Sequence, residues 1–343
     1  MASPAIDAGL ALEPLLLAAA AMVSALVTAA AIGYAKRRRL VDLPGQRRLH
    51  DEPTPRGGGI GIVVALASCG FGPLLAVAPP MWLALTATLA ALVAVAAIGW
   101  IDDHHPLATW PRFAVHLVAA GLAGWMVDPG MPILVFVPVA LALAWSINLH
   151  NFMDGANGLL AMQASFVLAV LTFALQSVLQ PEAAHLAAVG AVATLAFVPF
   201  NLPRARVFMG DVGSGALGLL VGVASVWAWR AGALDLPQIL VLSSAFVIDA
   251  TATLVSRFLR GLRWYAAHRE HLYQWLARRG STHARVTAAY LGWNLVVVLP
   301  ALIAPRFAPV GARSVYSWAV AGGVYALGLA IWIVLKHRLA RRP

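Results

Sequence analysis

Eleven stretches of about 20 mostly apolar residues recur along this chain. At 1.5 Å per residue each can cross a hydrocarbon core of about 30 Å as a helix. They run Leu12–Tyr34, Gly59–Val77, Met81–Ile101, Trp110–Val127, Pro132–Leu149, Gly158–Leu179, Ala183–Phe200, Ser214–Trp229, Leu236–Phe258, Val286–Ala304 and Ser314–Leu335. Backbone groups in lipid must be satisfied within each segment, so runs of this length favour helices. The ten-residue alternating segments of a membrane barrel are absent. Charged residues make up 11% of the 343-residue chain, where soluble domains carry about 25%. That excludes a water-solvated enzyme and a disordered chain alike. Cys69 is the one cysteine, which excludes a disulfide scaffold.

The charges predict topology. The first apolar run is followed, not preceded, by Lys36, Arg37, Arg38 and Arg39. A cleaved signal peptide has the opposite order. The expectation is a retained helix with its N-terminus outside. With residues 36–56 inside, strict alternation puts 21 of the 24 Lys and Arg on the cytoplasmic side, leaving Arg230, Arg306 and Arg313 outside. This is the positive-inside pattern for eleven spans, N-out and C-in. The net charge of +10 therefore reports topology and is no evidence for nucleic acid. No internal repeat or low-complexity linker divides the chain, so residues 1–343 are read as one all-α, polytopic integral membrane bundle.

The residues able to do chemistry collect in the inner loops. The first carries Arg47, Arg48, His50, Asp51 and Arg56, then Gly57-Gly58-Gly59. These glycines allow close backbone approach and can aim N–H groups at an anion, or form a flexible entry to the next helix. No strand or Walker lysine accompanies them. The second opens with Asp102-Asp103-His104-His105 at the membrane edge. Adjacent carboxylates there repel and lose hydration, and a hard divalent cation, Mg²⁺ above all, would remove both penalties. The bland alternative is a solvated helix end. The third, Asn148-Leu149-His150-Asn151-Phe152-Met153-Asp154-Gly155-Ala156-Asn157-Gly158, is a polar turn in apolar surroundings. Such a turn suits a polar ligand.

The fourth inner loop reads Phe208-Met209-Gly210-Asp211-Val212-Gly213-Ser214. Glycine-exposed amides at a helix start suit phosphate, and an aspartate there can hold the metal that phosphate brings. The alternative is Asp211 or Ser214 as a helix cap. The fifth contains Trp264, Tyr265 and the run His268-Arg269-Glu270-His271-Leu272-Tyr273-Gln274-Trp275. Read as a helix, it places His268, His271, Leu272 and Trp275 on one face, the pattern of a helix lying in the membrane interface. Zinc is disfavoured, because no third ligand has convincing spacing. Asp249, inside the ninth stretch, is an intramembrane carboxylate without an obvious partner.

Asp102-Asp103, then Asn148-x-x-Asn151-x-x-Asp154-Gly155, then Phe208-x-Gly210-Asp211-x-Gly213-Ser214, then His268-x-x-His271 form an ordered set. It resembles the polyprenyl-phosphate N-acetylhexosamine-1-phosphate transferases, glycosyltransferase family 4, over residues 40–274. The resemblance implies a multi-pass enzyme of the bacterial inner membrane. Its members transfer a sugar-1-phosphate from a UDP-N-acetylhexosamine to undecaprenyl phosphate and release UMP. It also implies Mg²⁺, with Mn²⁺ as a substitute, and leaves a homodimer open. The peptidoglycan branch uses UDP-MurNAc-pentapeptide and usually carries three consecutive histidines. The interrupted His268–His271 run, the 50–59 segment and the eleventh helix look more like the branch that initiates O-antigen and other surface polysaccharides.

By position, the resemblance makes Asp211 and Asn151 magnesium ligands and Asn157 and Phe208 uracil-binding residues. Arg112 falls on a phosphate-binding position. Asp102 and Asp103 match the catalytic pair, with Asp154 and Asn148 in the neighbouring motif. His268, Arg269 and His271 fall where the diphosphate and sugar are read. The attacking phosphate has a second pKa of about 6, so it needs little help from a general base. Asp102 and Asp103 are therefore expected mainly to orient the metal and nearby cations. A transporter or flippase for a polyprenyl-linked sugar is the competing class. Transporters usually show paired repeats and polar residues near the midplane, whereas here they gather at one face.

Overall fold

The computed structural model describes residues 4–42, 52–77, 81–263 and 268–340. Arg47, Arg48, His50 and Asp51 of the first inner loop and Trp264 and Tyr265 of the fifth lie outside the described residues. All eleven apolar stretches are helical. α1 (Pro4–Arg38) ends on Lys36, Arg37 and Arg38, where cations suit the helix dipole. A two-residue antiparallel ribbon, β1 (Val41–Asp42) against β2 (Thr54–Pro55), closes the first inner loop. α2 (Ile60–Ala65), a π-helical turn (Leu66–Phe71) and α3 (Gly72–Val77) together form the second stretch. Next come α4 (Trp82–His104), α5 (Thr109–Val127), α6 (Ile133–Phe152), α7 (Leu159–Ser177), α8 (Pro181–Asn201), α9 (Asp211–Arg230) and α10 (Leu236–Leu259). The short α11 (Leu272–Arg278) precedes α12 (His283–Trp293), α13 (Leu299–Ile303) and the long α14 (Arg313–Ala340).

Among the described residues, nine helices are long and apolar enough to cross a membrane. The other two of the eleven expected segments are the shorter Ile60–Ala76 and α5, whose first turns carry Arg112 and His116. The bundle is built around α9, which is buried without a break from Val212 to Ala224 and packs on α2, α4, α5, α6, α7 and α8. Small residues make this closeness possible, because lipid supplies no hydrophobic drive between helices. A Cβ on Gly218 would lie 2.7 Å from the Ile147 Cα of α6, and Ser146 Oγ donates to Gly218 O at 2.7 Å. A Cβ on Gly99 of α4 would collide with the backbone at Asp211. These contacts draw the inner ends of α4, α6 and α9 together.

The fifth inner loop departs from the helical reading. Residues 268–270 are irregular, and α11 begins only at Leu272, so His268 and His271 share no helix face. Leu272 is buried inside the protein instead of lying in the interface. The cause is Asp249. Its carboxylate accepts from the first amides of α11, Leu272 N at 2.6 Å and Tyr273 N at 3.3 Å, and so fixes where the helix starts. Asp249 also accepts from Tyr290 Oη (2.6 Å) and Trp332 Nε1 (3.2 Å). The partner that the sequence did not make obvious is thus the fifth inner loop, which Asp249 orients. Thr253 in the same helix donates to the Asp249 carboxylate as well at 3.3 Å, and the other partners come from segments distant in sequence.

Candidate active site

Two adjacent aspartates end α4, and the fold gives them different tasks. Asp103 is buried, and its carboxylate accepts from Asp211 N at 3.1 Å and Val212 N at 3.3 Å. It thus caps α9 from another helix. Neither Asp211 nor Ser214 is the cap, and these two amides are not open to phosphate. The residue at the cap position, Gly210, has φ 76° and lies against the Asp103 carboxylate. A side chain there would be strained and would fill the space Asp103 occupies. Asp102 turns the other way, to Leu107 N at 2.6 Å and Arg112 at 2.5 Å.

Two guanidiniums bind these acids into one cluster. Arg112 bridges Asp102 and Asp211, at 2.5 and 2.7 Å. Arg56 lies 2.7 Å from Asp103 and 3.7 Å from Asp211. The glycines after Arg56 do less for anions than expected. Gly58 N and Gly59 N donate to Phe208 O and Met209 O at 2.9 and 2.8 Å, zipping the first inner loop to the fourth. A Cβ on Gly59 would collide with Gly213. Arg56, read from sequence as a positive flank, is thereby delivered to the acids. Only the Gly57–Gly59 run beside it could have signalled this.

The third inner loop lies beside the cluster. Asn151 Nδ2 donates to Ser214 Oγ at 3.2 Å in the first turn of α9. Burial first, then the charges of Asp211 and Asp103, push the Asp154 carboxyl well above the usual carboxylate range, against the opposing pull of Arg56. Asn148 bonds back to Ala144 O at 2.7 Å and reaches His116, which also feels Arg112. Asn157 Nδ2 donates to Pro203 O of the fourth loop at 3.3 Å, and Phe208, further along that loop, is half-buried. Asn201, which the sequence did not single out, joins the same two loops through Gly158 N (2.5 Å) and Val207 O (3.0 Å). His283 was also missed, and its Nδ1 accepts from Asn157 N at 2.9 Å.

His268, Arg269 and His271 touch the acid cluster only indirectly. His271 is buried against Phe152, with ring centroids 6.4 Å apart, and beside His268 at 4.9 Å. Tyr273 Oη donates to Phe152 O at 2.9 Å, so the fifth loop leans on the third. Burial and then the neighbouring His271 and Arg257 push the His268 imidazole down to about 4, and burial also lowers His271. Half-buried Arg269 gives its carbonyl to Arg278 at 2.6 Å. Several buried polar atoms near the clusters lack partners: Arg112 Nε, His116 Nδ1 and His271 Nδ1. Leaving such atoms unpaired costs free energy, and an anionic ligand is their natural complement.

Among the described residues no three acid or histidine side chains form a ready metal cage, and arginines pair with Asp102, Asp103 and Asp211. The donor set nevertheless fits a divalent cation. Four carboxylates, Asp102, Asp103, Asp154 and Asp211, gather beside two guanidiniums, and their charges add to the burial that raises Asp154.

Residues 85–228 match the family model described as glycosyl transferase family 4. Over 369 aligned positions the chain is 30% identical to the decaprenyl-phosphate N-acetylglucosaminephosphotransferase of Mycobacterium tuberculosis strain H37Rv, covering 94% of this chain and 90% of that relative. The chain belongs to this family, that of the polyprenyl-phosphate hexosamine-1-phosphate transferases. Family 4 members with other names also align. The undecaprenyl-phosphate alpha-N-acetylglucosaminyl 1-phosphate transferase of Thermotoga maritima is 27% identical over 60% of this chain and 63% of its own. The phospho-N-acetylmuramoyl-pentapeptide-transferase of Deinococcus radiodurans is 31% identical over 63% of this chain and 74% of its own. The matched region contains Asp102, Asp103, Arg112, the third loop and Asp211, but not the fifth loop.

Proposed function

We propose that this member of family 4 moves N-acetylglucosamine-1-phosphate from UDP-N-acetylglucosamine to undecaprenyl phosphate. Its coarser class, a polyprenyl-phosphate N-acetylhexosamine-1-phosphate transferase of a multi-pass membrane type, follows from the family. An acceptor phosphate oxygen attacks the sugar-bearing phosphorus, the bond to the bridging oxygen of UMP breaks, and UMP leaves. The bacterial inner membrane and the first membrane step of O-antigen or another surface polysaccharide are the setting this reading implies. The observation that carries it is the acid–arginine cluster at the joined ends of α4 and α9, with Arg112 Nε unpartnered.

Both substrates are anionic phosphates, so approach is first an electrostatic problem. Asp211 and Asn151 would hold Mg²⁺ or Mn²⁺, which when bound offsets phosphate charge and polarises the transferred group. Arg112 and Arg56 would turn to phosphate oxygens once the cation takes up Asp211, while Asp102 and Asp103 keep the two guanidiniums aimed. Asp154, next to Asp211, adds charge to the same end. Asn157 and Phe208 take the uracil, Asn148 lines the approach, and His268, Arg269 and His271 donate to diphosphate and sugar. Purified protein given UDP-N-acetylglucosamine and undecaprenyl phosphate should release UMP and form a lipid-linked sugar diphosphate. Decaprenyl phosphate serves as a parallel acceptor. No UMP from any of a panel of UDP-N-acetylhexosamines overturns the reading.

The peptidoglycan branch is the second reading, supported by the Deinococcus radiodurans relative. Against it stands His268-Arg269-Glu270-His271 in place of three consecutive histidines. UDP-MurNAc-pentapeptide in the same panel decides between them. A flippase is disfavoured because the clustered charges sit where helix ends meet, not at mid-helix.

A further inference from the structure

The C-terminal helix α14 lies outside the region matched by the family model, yet one of its faces ends on the fifth inner loop. Gly328, Trp332 and Lys336 follow one another at spacings of four and form a single stripe. Gly328 faces α10, where a Cβ would press on the end of the Ile248 side chain. One turn on, buried Trp332 donates from Nε1 to Asp249 Oδ1 at 3.2 Å. Another turn on, Lys336 donates to the backbone carbonyl of Glu270 and lies over the rings of Trp275 (4.7 Å) and Trp332 (5.2 Å).

These contacts close a frame around residues 270–273. Asp249 holds the amides of Leu272 and Tyr273, Arg257 and Arg260 pair with the Glu270 carboxylate, and Lys336 takes the Glu270 carbonyl. Inside the frame sits His271, whose Nδ1 has no partner. Its neighbour Tyr273 reaches over Gly155 to Phe152 O, so the frame also sets how the fifth loop meets the third. We infer that Trp332 and Lys336 are positioning residues for the donor end of the site: they hold the 270–273 backbone so that His271 is presented beside the Asn151–Asp154 turn.

This rests on the transferase reading, so the test has one readout tied to activity and one that is not. Full-length wild type, Trp332→Phe, Lys336→Met and Lys336→Arg are compared. Trp332→Phe keeps an aromatic face and removes the Nε1 donor together with part of the buried ring. In UMP release, Lys336→Met should raise KM for UDP-N-acetylglucosamine about tenfold, the weight of one lost hydrogen bond. Its kcat and its KM for undecaprenyl phosphate should stay within about twofold, since the contact is remote from the acceptor. Lys336→Arg should recover most of the loss. Hydrogen exchange should quicken over residues 268–276 in Lys336→Met and Trp332→Phe, and nowhere else. Wild-type KM and exchange in both variants overturn the inference. So does a fall in kcat at unchanged donor KM, or a Lys336→Arg protein that behaves like Lys336→Met. A wild type that releases no UMP overturns the transferase reading alone, and the exchange result still decides the positioning.

Discussion

Asp211 stands where the first turn of α9, two arginines and two further aspartates meet, so its charge organises the others. Asp211→Asn keeps the shape and removes the charge. It should insert normally yet lose UMP release by about 10²–10³-fold, the range for removing one electrostatic contributor. Wild-type activity should vanish with EDTA and return with Mg²⁺ or Mn²⁺; activity that survives exhaustive chelation contradicts the metal assignment. The histidines make a separate claim. Folding holds His268 neutral, with its pKa down at about 4, whereas an unfolded histidine titrates near 6.5. Between those values the unfolded chain binds more protons, so stability rises with pH up to about 6.5 and is lost as pH falls toward 4. Buried His271 shifts in the same direction. Because the raised Asp154 carboxyl pulls the other way, the histidine share is read by difference: the gain in Tm from pH 5 to pH 7.5 in detergent should be smaller in His271→Gln than in wild type. A gain as large in the variant as in wild type removes His271 from the account. In activity, His268→Ala or His271→Ala should cost about ten- to a hundred-fold, one charge-assisted contact.

At the scale of elements, the joint between α6 and α9 matters most, because it sets Asn151 on Ser214. Gly218→Val would drive a side chain into the Ile147 backbone. Overpacking of this kind costs roughly 1–3 kcal/mol. Tm and activity should fall together, while Gly33→Ala, with nothing within 4 Å of its Cβ, should leave both unchanged. The helices themselves were legible because a backbone in lipid has few alternatives. The acid pair, the Asn151–Asp154 turn and Asp211 were legible as polar exceptions to that rule. The start of α11 was not. The spacing of His268, His271, Leu272 and Trp275 is local, whereas the carboxylate that sets the first helical amide is Asp249, 23 residues upstream. For the same reason the α9 start read as an anion site. A sequence does not display that Asp103, 108 residues away, has already taken two of those amides. Arg56 stayed open between a positive-inside flank and part of a glycine-lined anion contact, because nothing local in the sequence points it at Asp103.

For the molecule as a whole, the charge split remains the clearest statement about orientation. In a Cys69→Ser background, Arg39→Cys should resist an impermeant thiol reagent in cells with a sealed inner membrane, and Arg313→Cys should react. The reverse pattern inverts the topology and places the acid cluster outside. The cross-helix cap also bears on how the protein is made. Asp103 leaves the ribosome well before the amides it will hold, because Asp211 follows 108 residues later. At about 5–20 residues per second, that is a wait of roughly 5–20 seconds. Throughout it, Asp102, Asp103 and Arg56 must stay in contact with water or with one another. Acids at a helix end can wait in this way at lower cost than acids at mid-bilayer. The arrival of α9 therefore closes the acid–arginine cluster at the rim of the bundle, and the fifth inner loop joins it later.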